Sequence, residues 1–172
     1  MTISASPQLG AKVLIPYIYA KSNISVARNS TNTSGTGGVD DDEEVTHATV
    51  TIPGGLLVGS TSIFIYAFFR STSSVSTKTF GLRVGGTSYG TISATTNAGN
   101  QLALFLHADN ASNDQKAVNN AAGAFQGAGS IFDGSKDFSQ DIDFTFTSRW
   151  GAAVASETIT LESYLIWVFP GQ

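Results

Sequence analysis

The segments Ile63-Phe64-Ile65-Tyr66-Ala67-Phe68-Phe69 and Tyr164-Leu165-Ile166-Trp167-Val168-Phe169 are apolar at successive positions. Successive side chains of a strand point to opposite faces, so each segment would be apolar on both faces. Elsewhere the chain mostly alternates apolar with polar residues, as strands with one wet face do. A doubly apolar strand needs cover on both sides. The domain core supplies one cover, and a second subunit is the simplest source of the other. Ile63, Phe64, Ile65, Phe68, Leu165, Trp167 and Phe169 are therefore the candidate interface residues. The alternative is two central strands covered by the long loops at 29–44 and 109–136.

The remaining pattern is that of strands separated by turn signals. Val13 to Ala20 is apolar but contains Pro16, which marks an edge strand, a bulge or an extended arm. Ile24 to Arg28 is a second short candidate. In Val45 to Ile52, the residues Ala48, Val50 and Ile52 share one face, while His47, Thr49 and Thr51 share the other. Phe80, Leu82 and Val84 oppose Gly81 and Arg83. Gly85-Gly86 suits a two-residue hairpin turn, because glycine tolerates positive φ at both positions. Leu102, Leu104 and Leu106 form another stripe, as do Ile142, Phe144 and Phe146. Thr158 to Phe169 is the last and longest strand. Asp109 to Ser130 reads as a loop in preference to a short helix capped by Ser112 and Gln115. Eight to ten strands with several long links predict an all-β fold, an antiparallel β-sandwich of jelly-roll type. Residues 1–21 are assigned to an N-terminal arm or edge segment, and 22–172 to one sandwich domain.

Composition narrows the function. Charged residues are 13% of the chain, about half the usual share. Asp40, Asp41, Asp42, Glu43 and Glu44 hold five of the 13 acids, leaving eight acids against nine bases elsewhere. No basic patch is present to hold phosphates, so no nucleic-acid partner is expected. No cysteine is present, which excludes disulfides and thiolate metal sites. The apolar runs are too short for a helical membrane span, and Met1 to Pro7 lacks the pattern of a signal peptide.

The chemical motifs are weak. The acidic run 40–44 could offer oxygens to Ca²⁺, but its spacing is not that of a calcium loop. A solvated acidic loop is preferred. Gly86-Thr87-Ser88-Tyr89-Gly90 matches a nucleophile elbow in letters only, because no strand–helix context surrounds it. His47 and His107 are the two histidines, and an exposed, interface or hydrogen-bonded role is preferred to catalysis. Asp141 and Asp143 share a strand face at a spacing that a glycosidase pair could use. Alternating carboxylates are also what a solvent face looks like. Trp150 at a strand end and Tyr89 are the candidate ligand-binding residues, as stacking platforms for a sugar.

Three phrases resemble small structural proteins of tailed bacteriophages. They are Ala48-Thr49-Val50-Thr51-Ile52-Pro53-Gly54-Gly55-Leu56-Leu57, Thr79-Phe80-Gly81-Leu82-Arg83-Val84-Gly85-Gly86-Thr87 and Glu157-Thr158-Ile159-Thr160-Leu161-Glu162-Ser163-Tyr164. The resemblance implies a jelly-roll virion protein, often trimeric, in a head decoration, head fibre or tail fibre. It carries over no catalytic residue. The expectation is thus a non-enzymatic virion component without cofactors. It would be made in the host cytoplasm and partnered by further copies of itself and by the major capsid protein or the tail. The rival expectation is a glycan- or receptor-binding module at a fibre tip.

Overall fold

The structure is a computed structural model. It describes residues 17–27, 44–57, 59–96, 98–108, 113–120, 130–151 and 157–169. All regular structure among these residues is strand: β1 (Tyr17–Ala27), β2 (Val45–Ile52), β3 (Ser62–Ser71), β4 (Lys78–Val84), β5 (Thr87–Ala94), β6 (Gly99–Ala108), β7 (Gln115–Asn120), β8 (Ser130–Gly134), β9 (Ile142–Trp150) and β10 (Thr158–Phe169).

Two antiparallel sheets form, one ordered β1-β10-β3-β6-β7-β8 and the other β2-β9-β4-β5. The path is a long hairpin rolled up. Its arms pair β1 with β10, β2 with β9, β3 with β6 and β4 with β5. Rolling then brings β10 against β3 and β9 against β4. This is a jelly-roll, the double Greek key that buries two inner sheet faces. β7 and β8 are an additional antiparallel pair on the free side of β6.

The alternating residues fill the space between the sheets. Ile63, Ile65, Ala67 and Phe69 of β3 point inward, as do Leu102, Leu104 and Leu106 of β6 and Tyr164, Ile166 and Val168 of β10. Val50, Ile52, Phe80, Leu82, Val84, Phe144 and Phe146 answer them from the other sheet. Phe69 meets Phe80 at 4.9 Å between ring centres, and Phe146 stacks on Tyr164 at 4.7 Å. Such aromatic pairs add to the burial of their area. Gly85 and Gly86 turn the β4–β5 hairpin at φ 53° and 79°, as their sequence predicts.

Several expectations are corrected. The two separate strand candidates near the start are one strand in part, because β1 runs without a break from Tyr17 to Ala27 along β10. Residues 17–21 are in this strand, while 1–16 lie outside the described residues. The segment read as a loop or helix at 109–130 contains β7. There Gln115 and Ala117 are buried and Lys116 and Val118 exposed, a two-residue period that the small and amide side chains conceal. Its neighbour β8 completes an edge rather than covering β3. Residues 28–43, with most of the acidic run, lie outside the described residues.

Candidate functional site

The six-stranded sheet has an apolar outer face. Leu165, Trp167 and Phe169 of β10 project there with Phe64, Tyr66 and Phe68 of β3, Phe105 of β6 and Val118 of β7. Trp167, Phe64, Phe105 and Val118 are cross-strand neighbours in a continuous row. Phe105 is 47% exposed, Val118 40%, Phe169 40% and Trp167 37%. Trp167 packs edge-on to Phe169 at 6.1 Å and tilted to Phe64 at 6.5 Å. Three strand spacings of about 4.8 Å make the row roughly 14 Å wide from Trp167 to Val118. Charges stand at its margins and pair within the chain. Arg70 pairs with Glu162, and Lys116 reaches Asp133 at 2.9 Å and Asp114 at 3.5 Å.

The candidate interface set therefore divides. Phe64, Phe68, Leu165, Trp167 and Phe169 are on this outer face. Ile63 and Ile65 have no exposed surface and belong to the core. They alternate with Phe64, so one strand serves both layers.

The aromatic platform expected at Trp150 and Tyr89 does not form. Trp150 is fully buried and Tyr89 is 3% exposed. Trp150 ends β9 inside the sandwich opposite Lys78. Tyr89 is displaced inward by a bulge: Leu82 pairs with Gly90 but Arg83 with Ser88, leaving Tyr89 as the extra residue. Its hydroxyl donates to Gln115 Oε1 at 3.2 Å. Gln115 in turn donates to the Lys136 carbonyl at 2.7 Å and accepts from the Lys136 N–H at 2.9 Å. Burial pushes the Tyr89 phenol up to about 12.

His47 behaves in the same way. A bulge between Thr46 and Ala48 turns it from the predicted polar face into the interior. There Nε2 lies 2.8 Å from Ser148 Oγ, and the ring meets Phe69 edge-on at 5.7 Å. His107 stays on the outer face of β6, 3.1 Å from Ser62 Oγ. The two histidines are on different layers, so the structure does not join them. Asp141 accepts from the Gly54 N–H at 2.8 Å, and Asp143 from the Thr51 hydroxyl at 2.7 Å. These carboxylates hold a turn and a strand pair together. Ser88 is exposed in the β4–β5 hairpin.

Sequence reading missed one buried charge pair. Lys78 and Glu157 are 0% and 2% exposed, with Nζ 3.8 Å from Glu157 Oε1. Lys78 donates to Ser74 Oγ at 2.5 Å and to the carbonyls of Ser76 and Thr95 at 3.0 and 3.3 Å. Ser74 in turn donates to Glu157. Three loops are thereby fastened at one end of the sandwich. A lysine flanked by threonines carries no sequence signal of such a fate.

The outer face of the four-stranded sheet is wholly different. It carries Thr49, Thr51, Thr79, Gly81, Arg83, Thr91, Ser93, Asp143, Thr145, Thr147 and Arg149 in cross-strand neighbourhood. Arg83 grips Glu44, with Nε at 2.9 and 3.0 Å from the two carboxylate oxygens, and donates from Nη1 to the Gly86 carbonyl at 2.9 Å. The Arg83 hydrogen bonds hold the Glu44 carboxyl below its usual range. Burial opposes this, while the Thr147 hydroxyl and the charges of Arg83 and Arg149 reinforce it.

No protein-family model matches the chain. No curated protein matches it either. Among solved structures it is similar to arcelin-5, a lectin-like defence protein from Phaseolus vulgaris, at 10% identity and a TM-score of 0.40, over 90% of this chain and 99% of that one. It is similar to the basic winged bean lectin solved with Tn-antigen, at 8% identity and a TM-score of 0.40, over 91% and 100% of the two chains. A chain of the infectious bursal disease virus Gt strain aligns at 12% identity and a TM-score of 0.39, over 99% of this chain and 38% of that one. The jelly-roll assignment rests on the strand pairing itself.

Proposed function

We propose that this chain is a non-enzymatic virion structural protein of a tailed bacteriophage, a head decoration or fibre component that assembles as a homotrimer. The observation that carries the reading is the apolar row across the six-stranded sheet. The row spans three strand spacings, about 14 Å, and is three residues deep on β10 and β3 and one deep on β6 and β7, an apolar patch on the order of a few hundred Å², a size that is often functional. A stable interface takes about 800 Å² from each partner, so the polar margin around the row would be covered with it. The occupant best suited to it is a second copy. The charges of this face stand at its margins, Arg70 with Glu162 and Lys116 with Asp133 and Asp114, so the row can be buried against neighbouring copies around a threefold axis without burying them. The phrases at 48–57, 79–87 and 157–164 supply the virion context and the threefold expectation.

Light scattering on the purified chain is expected to give three times the 17.9 kDa protomer mass. The double variant Trp167→Ser, Phe105→Ser should give the protomer mass with its far-ultraviolet β spectrum intact. A monomeric parent chain, or a double variant that stays trimeric, overturns this interface. Imaging of particles labelled through the chain tests the virion role, and absence of label from intact particles rejects it.

A further inference from the structure

The two outer faces of the sandwich differ in kind. If the apolar face is turned toward other copies, the hydroxyl-rich face is turned toward solution. That second face is not flat. Gly81 sits between Thr147 of β9 and Thr91 of β5, and a Cβ there would come within 2.9 Å of Thr147 Oγ1 and 3.5 Å of Thr91 Cγ2. The missing side chain opens a groove of about 260 Å³. Thr79, Ser88, Thr91, Ser93 and Thr147 line it with hydroxyls, and Arg83, Arg149 and the Glu44 carboxylate held by Arg83 stand at its sides. Thr79 Oγ1 and Ser93 Oγ lie 3.1 Å apart. A hydroxyl that is engaged once still has donor or acceptor capacity to offer a ligand.

The two arginines are not equivalent. Arg83 is spent on Glu44 and Gly86, which fixes its position and cancels its charge. Arg149 is exposed and acts on Glu44 only through its field, with no ion pair within 4.0 Å among the described residues. A planar guanidinium beside a bed of hydroxyls selects a ligand with one carboxylate and several hydroxyls, because arginine binds carboxylates through two parallel hydrogen bonds. The groove volume is below the roughly 300 Å³ at which drug-sized ligands become enclosed, so it takes about one ring with the rest outside.

We propose that this groove binds an acidic saccharide, the sugar carboxylate on Arg149 and the ring hydroxyls on the threonine and serine side chains around Gly81. The site lies within one protomer, so it stands or falls independently of the trimer. It also differs from the aromatic platform that the sequence suggests, since Trp150 and Tyr89 are both inside the fold.

Calorimetric titration with trigalacturonate, maltotriose and acetate tests the proposal. Trigalacturonate should bind at least tenfold more tightly than either control. Arg149→Gln, an exposed change that leaves Tm in place, should remove that tenfold preference. Gly81→Ala fills the floor and should weaken trigalacturonate without restoring a preference for maltotriose. Binding of maltotriose as tight as that of trigalacturonate overturns the role of the carboxylate. Acetate binding as tight as trigalacturonate overturns the saccharide, and an unchanged preference in Arg149→Gln overturns the site.

Discussion

Lys78 shows how much one residue can carry in this fold. Its ammonium is removed from water and answered by Glu157, Ser74 and two carbonyls. Breaking such a pair leaves a buried charge without its counter-charge, which costs about 3–5 kcal/mol, whereas replacing both partners by apolar groups costs far less. Lys78→Met should therefore lower stability in urea by about that amount, and Lys78→Met with Glu157→Leu should recover most of it. Equal loss in single and double variants would show that the loops are held by something other than this pair. Glycine gives a second case at this scale. A Cβ on Gly54 would meet the Ser139 carbonyl at 2.5 Å, and one on Gly134 the Tyr89 hydroxyl at 2.3 Å. Both positions are fixed by what approaches them.

At the scale of the element, bulges explain where alternation misleads. Three strands carry a register shift: β2 at His47, β5 at Tyr89 and β10 at Glu162. A bulge adds one residue and so reverses which side chain points inward. Two polar rings are brought into the core this way, and each finds a hydrogen-bond partner. The Tyr89 phenol sits near 12 in the fold, raised from its ordinary 10 by burial. The linkage is that of a raised group: its contribution is complete below pH 10 and is lost as the pH rises through about 12. Tyr89→Phe should thus flatten the fall in Tm on the alkaline side while costing about 1 kcal/mol at neutral pH from the lost hydrogen bond. A Tyr89→Phe protein with the parent's alkaline profile would refute that assignment. The stripes at Phe80, Leu82 and Val84 and at Leu102, Leu104 and Leu106 are legible in the sequence because no bulge interrupts them within those residues. β7 is not legible, since alanine and asparagine give little contrast between its faces.

For the whole molecule, the jelly-roll presents two outer surfaces of opposite character, one apolar and one rich in hydroxyls. The apolar row was legible because tryptophan and phenylalanine in the outward phase of two adjacent strands leave no polar alternative. The groove was not, because it depends on Gly81, Thr91 and Thr147 meeting across three strands far apart in the chain. Assembly through the apolar row should depend only weakly on ionic strength, since Arg70 offsets Glu162 and Lys116 offsets one of its two aspartates within each protomer. A trimer mass that persists from low salt to about 1 M NaCl is the expected outcome. Dissociation as salt rises would instead assign the contact to charged groups.

The pairing of β1 with β10 also sets a timetable. Ala27 lies opposite Thr158, so the first strand described has no partner until roughly 130 further residues have been made. At about 5–20 residues per second, that interval is on the order of ten seconds. Throughout it β1 is a strand with an open edge on a growing chain, and its neighbours in the polysome are identical open edges. Until β10 arrives both edges of β1 are open, against one in the finished sheet, so the larger exposure of this strand falls during synthesis.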